Sequence, residues 1–205
     1  MRAPSALRRT LNLTVLGLAL LGTSGCVSFG AKPPERLLGI STDARIVAGK
    51  STSSPADGAL FVELPSVPRA IATQRVAVHD KANSYAYVKD ALWVDSPARQ
   101  FKAMLSETIA ARTEKLVLDP GQYPTTTGHV LRGDLVDFGV DDATKMAIVT
   151  YDANLLANDG KAILRQRFSA SRPLSKIDAT TVAPAISQAA NEVAAAVADW
   201  IKAQP

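Results

Sequence analysis

The sequence predicts an α/β protein of the α+β kind, in which a mainly antiparallel β-sheet carries two long α-helices. Three observations predict it. From Gly128 onward apolar and polar residues alternate over three successive runs, and a period of two shows every second side chain to one face of a strand. Between Ser96 and Lys115 the apolar residues fall instead at three- and four-residue steps, and the same spacing returns between Thr181 and Ala203. Each of these two stretches is long enough for a helix with one buried face.

The first segment, Leu11 to Cys26, reads as a lipoprotein signal peptide. Arg2, Arg8 and Arg9 form a positive leader, Leu11 to Leu21 an apolar core, and Gly22 to Gly25 the small residues that a signal peptidase needs. A membrane-spanning helix needs about 20 apolar residues to cross roughly 30 Å of hydrocarbon, and this run is about half that. Ser24-Gly25-Cys26 matches the end of the bacterial lipobox, whose cysteine is acylated and becomes the new first residue, although Thr23 stands where an aliphatic residue is usual. The competing reading, an ordinary cleavage site in a secreted protein, leaves the only cysteine of the chain as a spare thiol. Val27 follows the cysteine. The resemblance to Gram-negative lipoproteins implies that an Asp at that place tends to hold the protein at the inner membrane, so Val27 favours the periplasmic face of the outer one. The expected organisation is a signal peptide over 1–25, a lipidated tether over 26–34 with Pro33-Pro34 in extended geometry, and one domain over 35–205.

Removing residues 1–25 takes away three of the 23 basic residues and none of the 19 acidic ones, which leaves a net charge of +1. A chain that close to neutral, with no Lys/Arg stripe, has no electrostatic footprint for a phosphate backbone, and nucleic-acid binding is set aside. With no internal disulfide available, the core of the domain must hold the fold alone.

Within the domain, Leu37 to Ser41 has the apolar content of a brief first strand, and Thr42 to Gly58 reads as a long polar loop. Ala59 to Leu64 is β-branched and aromatic, a strand ended by Pro65 and Pro68. Gln74 to His79 and Ser84 to Lys89 form a hairpin around the turn-forming residues that follow His79. Ser96-Pro97 starts the first helix, with Ser96 as N-cap, Pro97 at the first helical position and Phe101, Met104, Leu105, Thr108 and Ile109 on its apolar face. Lys102, Glu107, Arg112 and Glu114 lie off that stripe, and the helix should stop near Lys115.

Three strands follow. They are His129 to Val140, with Gly133 as a bulge or close-packing point, Lys145 to Leu156, and Ala162 to Ala170, the last two joined by the Asn158-Asp159-Gly160 turn. Leu164 and Phe168 face one way on the last strand, Arg165 and Arg167 the other. The closing helix runs from Thr181 to Ala203 with Thr181 as N-cap, which places Pro184 at a position where its missing N–H breaks no intrahelical bond.

Reactive groups are scarce. His79 and His129 are the only histidines, and neither has the spacing of a metal ligand set; no nucleophile elbow, Walker or dinucleotide glycine pattern occurs in the mature chain. The expectation is a protein with no catalytic residues, no metal and no cofactor. Tyr85, Tyr87 and Trp93 remain as a candidate partner- or ligand-binding cluster, against the blander reading of aromatic residues packed in a core.

Several strings resemble one family. Gln74-Arg75-Val76-Ala77-Val78 through Tyr85-Ala86-Tyr87 to Leu92-Trp93, then Val130-Leu131-Arg132-Gly133-Asp134-Leu135-Val136-Asp137-Phe138, then Ala198-Asp199-Trp200-Ile201, occur in the order found in auxiliary lipoproteins of ABC-type transport systems, including the paraquat-inducible protein C group. The chain departs from that pattern at Leu37-Leu38, where the family usually carries a Tyr, and in its polar loop from Thr42 to Gly58. The resemblance implies two helices on a mixed sheet, related in shape to the amino-terminal domain of periplasmic translocation proteins. It also implies partners: an MCE-domain substrate-binding protein and an ABC permease and ATPase, moving phospholipid or other hydrophobic molecules between the inner and outer membranes. A homo-oligomer is left open. The alternative is an envelope assembly or scaffold lipoprotein with no lipid cargo. Near-neutral charge predicts that the partner contact is largely uncharged.

The anchor is testable directly. Each buried CH₂ of an acyl chain adds about 0.8 kcal/mol of membrane affinity, so acylated Cys26 holds the protein on a bilayer without a transmembrane helix. Cys26→Ser should move the protein from the membrane fraction to the soluble periplasm, read by fractionation and intact mass. Retention with unaltered mass would overturn the lipobox reading.

Overall fold

The computed structural model describes residues 36–81, 83–123 and 127–204. The expected signal peptide, Cys26 and the expected tether lie outside the described residues. The longest strand is the organiser. We number seven strands: β1 (Leu60–Val62), β2 (Arg75–Lys81), β3 (Ser84–Leu92), β4 (Val117–Leu118), β5 (His129–Asp141), β6 (Met146–Leu156) and β7 (Ile163–Pro173), with helices α1 (Pro97–Thr113) and α2 (Ala179–Lys202).

Along one edge β5 pairs antiparallel with β6 from Val130 to Asp141, and β6 in turn with β7, which gives the expected meander. The other edge of β5 is shared. Its first residues pair parallel with β1, whose far side takes β4, and its last residues pair parallel with β2 of the β2–β3 hairpin. Between these, Ser66 bridges to Asp134 and continues the edge. The sheet is therefore mixed, mainly antiparallel, with both helices on one face.

That face holds the core. Phe101, Met104, Leu105 and Ile109 of α1, and Val182, Ile186, Val193 and Val197 of α2, are fully or almost fully buried against Leu131, Leu135 and Phe138 of β5 and Val149 and Tyr151 of β6. Each such side chain contributes roughly 1.5–3 kcal/mol relative to exposure. One extra residue makes this possible: the β5–β6 register slips between Leu135 and Asp137, so Leu135 and Phe138, three apart, face the same side. The bulge is thus near Val136 and not at Gly133. Gly133 is the close-packing point, because a Cβ there would lie 2.3 Å from the Asp152 carbonyl oxygen and 2.5 Å from the Tyr151 ring.

Three expectations need correction. Leu37 to Ser41 forms no strand; only Leu38 bridges to Trp93, and the stretch continues as a strap across the helices. The Ile40 N–H donates to Gln100 Oε1 (3.2 Å), the Ser41 N–H to Ser187 Oγ (3.0 Å) and the Asp43 N–H to Asn191 Oδ1 (2.9 Å). Ser96 sits at the N-cap of α1, but its side chain makes no capping bond; the other end closes with Glu114 in the left-handed region at φ 59°. Helix α2 begins at Ala179, earlier than Thr181, because the Asp178 carboxylate accepts from the N–H groups of Thr180 and Thr181. Pro184 is consequently inside the helix, where its ring removes one hydrogen bond.

Gly133 gives the sharpest test of the packing. Gly133→Ala adds only a methyl group, yet that methyl must displace an aromatic ring and a backbone carbonyl. A loss of about 1–3 kcal/mol or more is expected in urea unfolding, where an ordinary strand Gly→Ala change would be neutral or stabilising.

Candidate partner-docking face

Residues that face each other in register share a side of the sheet, so the side away from the helices can be followed row by row. At one end Tyr85, His79 and Asp141 lie across β3, β2 and β5. Next come Tyr87, Ala77, Gly139 and Ile148, and then Asp137, Thr150 and Ser169. At the far end Asp134, Asp152 and Arg167 form one row, and Arg132, Asn154 and Arg165 another.

The far end is an ion-pair lattice. Asp152 is 5% exposed, and its carboxylate takes Arg167 at 2.5 Å (Nε) and 2.7 Å (Nη2) and Arg165 at 3.3 Å. The hydrogen bonds from Arg167 hold the Asp152 carboxyl below its usual range, with burial opposing and Arg165 assisting. This matters because Asp134 lies directly opposite Asp152 on β5, and two facing carboxylates repel unless cations intervene. Arg132 is paired instead with Glu63 at 2.9 Å. Beneath the lattice the Tyr151 hydroxyl is buried, and burial, helped by Asp134 and Glu63, pushes its pKa far above the ordinary tyrosine value. It stays neutral.

The near end is a crevice. His79 Nδ1 is 3.6 Å from Asp141 Oδ2, and the Tyr85 ring packs on the imidazole with centroids 5.1 Å apart. Asp141 is held below the usual carboxylate range first by the N–H and hydroxyl of Thr144 and then by His79. Ala77, Gly139 and Ile148 line the crevice together with Pro68, Ala70 and Ile71 from the turn that precedes β2. Gly139 is required there because a Cβ would stand 2.5 Å from the Ala77 carbonyl oxygen.

Of the residues singled out from sequence, Tyr85 and Tyr87 reach this face and Trp93 does not. Tyr85 is 54% exposed; Tyr87 is half-buried under the Arg75 guanidinium, 4.0 Å from its ring centroid. Trp93 is 0% exposed and packs on Phe138 at 5.5 Å in the core, so the candidate cluster is split by the sheet. Trp93 lies past the end of β3, where its N–H donates to the Gln74 carbonyl, and its ring falls on the helix side. Sequence reasoning missed His79, Asp137, Asp141 and Asp152 as members of one surface. The period-two pattern of β5 and β6 carried that signal, but only the pairing register brings the residues together. Among the described residues no group of three His, Cys, Asp or Glu side chains is placed to hold a metal ion.

The lattice predicts a pH signature. A carboxyl whose pKa is lowered by folding contributes stability that is complete above its unfolded value, about 3.9, and is lost as pH falls through the folded value. Replacing Arg165 and Arg167 by Ala removes both cations from the Asp152 carboxylate and leaves it facing Asp134, which should cost about 1–3 kcal/mol at pH 7. The gap in melting temperature between the double variant and the parent should be widest near neutrality and narrow below about pH 4, as Asp152 takes up a proton.

Comparison with known proteins fits this architecture. The chain resembles a Xanthomonas campestris protein of the DUF330 family in crystal structure, at 19% identity, TM-score 0.64, with 82% of this chain and 95% of that one covered. A second crystal structure, of an uncharacterized protein, matches at 16% identity and TM-score 0.61, with 72% and 94% covered. The PelC dodecamer from Paraburkholderia phytofirmans is more distant, at 13% identity and TM-score 0.40, with 76% and 96% covered. No curated protein matches the chain. The sequence model described as "ABC-type transport auxiliary lipoprotein component" matches residues 42–198, from the strap over the helices to the last turns of α2, and with that span covered the chain belongs to the ABC-type transport auxiliary lipoprotein family.

Proposed function

We propose that this protein is the lipid-anchored auxiliary component of an ABC/MCE-type transport system that moves phospholipid or other hydrophobic molecules between the inner and outer membranes. The observation that carries the reading is the family match over residues 42–198. Acylated Cys26 fastens the domain to the periplasmic face of the outer membrane, the tether over 26–34 gives it reach, and Val27 supports that choice of membrane. The role is docking and not catalysis, with no resident cofactor or metal. The MCE-domain substrate-binding protein is the partner proposed to meet the sheet face, with the permease and ATPase beyond it.

The sheet face supports docking through its chemistry. A wide surface with an exposed aromatic at one end and fixed charges across the rest offers both an anchor and a register. It also revises the expectation of an uncharged contact. Near-zero net charge hides fixed charges of both signs on this face, since Arg132, Arg165 and Arg167 stand among Glu63, Asp134 and Asp152 at one end and Asp137 and Asp141 lie towards the other. Association through this face should therefore slow and weaken as salt rises, because exposed charges are screened beyond about 8–10 Å at 0.1–0.15 M.

Crosslinking in native envelopes followed by affinity recovery of the full chain tests the reading. An MCE or ABC component should be captured at low salt and less at high salt, and loss of the gene should make the outer membrane more permeable. Capture of envelope-assembly proteins in place of any transport component would favour the scaffold alternative. Turnover of an ester or glycan by the purified protein would overturn the non-catalytic role.

A further inference from the structure

We propose that the crevice between the β2–β3 hairpin and β5 is a socket for a single basic side chain, Arg or Lys, of a protein partner. The inference rests on the docking role above and names the chemistry of one contact. Its shape comes first. Gly139 and Ala77 leave the floor low, and Asp137 and Asp141 stand at its two ends, four residues apart on β5 and so about 13 Å from each other. The β5 bulge after Leu135 puts Asp137 on this side of the sheet.

Charge comes second. Among the described residues no Lys or Arg lines the crevice. Asp137 has no hydrogen bond or ion pair among the described residues, and Arg167, whose guanidinium is committed to Asp152, acts on it only at a distance. Tyr85 completes the site, since its exposed ring offers a π-face to a cation. Arg and Lys combine a long aliphatic stem with a cationic head, which suits an apolar trough lined by Ile71 and Ile148 with a carboxylate at its end.

A protein is favoured over an amine lipid headgroup by what lies alongside. Beyond the crevice the face continues as rows of fixed charge, Asp134 with Asp152 and Arg167, then Arg132 with Arg165. Acyl chains laid there would bury unpaired charge, whereas a protein surface can answer each row.

The experiment uses the full chain in detergent, with ring resonances of its two histidines and four tyrosines as reporters. Titration with N-acetyl-arginine amide at pH 7.5 should shift His79 and Tyr85 saturably and leave His129 unmoved. N-acetyl-citrulline amide, the uncharged near-isostere, should bind at least about fivefold more weakly. Asp137→Asn should weaken arginine binding by a similar factor, while Asp159→Asn, in the β6–β7 turn, should not. Equal binding of arginine and citrulline, unchanged binding in Asp137→Asn, or saturable shifts produced by phosphatidylethanolamine vesicles and not by the amino-acid amides would each overturn the proposal. The crosslinking experiment separates this failure from that of the docking role. A transport component captured equally by the parent and Asp137→Asn would overturn the socket and leave the docking role standing, and capture by neither would overturn the docking role.

Discussion

Every layer of this domain depends on the backbone pairing of one strand. β5 satisfies a continuous antiparallel partner on one edge and three successive partners on the other: β1, the Ser66 bridge and the end of β2. A strand so placed cannot slide, because a shift of one residue would turn Leu131, Leu135 and Phe138 towards water and Arg132, Asp134 and Asp137 into the core. Two local features fix the register: the Tyr151 ring seated on Gly133, and the extra residue after Leu135 that resets the alternation. The parallel pairs made by β1 and β2 join residues far apart in sequence, so this hub carries a large loop-closure cost in folding.

The same strand organises the outer face. Once β5 is fixed, its polar alternates are delivered to that face at known spacing, and β6 and β7 add Asp152, Arg165 and Arg167 beside them. Asp152 would be costly to bury alone, but two guanidinium groups shared with one carboxylate compensate it and hold it apart from Asp134. The charges that compensate Asp152 are thus also the ones that make this end of the outer face polar.

Much of this was legible in the sequence because it is local. The alternation in β5, β6 and β7 and the apolar stripe of α1 each follow from neighbours within a few residues, and the Asn158-Asp159-Gly160 turn joins its two strands as its chemistry demands, with Gly160 at φ 67°. What escaped was non-local or depended on competition. β4 is two residues long and exists only because β1 offers an edge. Asp178 outcompetes Thr181 as the cap of α2 because its carboxylate reaches two N–H groups, which no pattern of apolar residues reveals. Tyr85 and Tyr87 alternate on an exposed side, whereas Trp93 lies past the strand end where parity no longer holds; grouping all three by type joined residues that the sheet separates. The crevice was illegible for a similar reason, since His79 and Asp141 lie 62 positions apart and meet only through a parallel pair.

The strap from Leu38 to Lys50 has a consequence for where the domain begins. The first strand, β1, starts at Leu60, and the family match starts at residue 42, yet the backbone N–H groups of Leu38, Ile40 and Ser41 already donate to the Leu92 carbonyl and to the side chains of Gln100 and Ser187. One of those acceptors belongs to the end of β3 and two to the helices, so a chain trimmed to its first strand loses the cover of its helix pair together with Leu38 and Ile40, which pack against the core. The natural amino-terminal boundary of the folded unit therefore lies in a stretch without helix or strand, held by polar side chains of the helices it crosses. Homologues that vary in this segment would be expected to vary with it at Gln100, Ser187 and Asn191, as one unit of inheritance spread over 150 residues of chain.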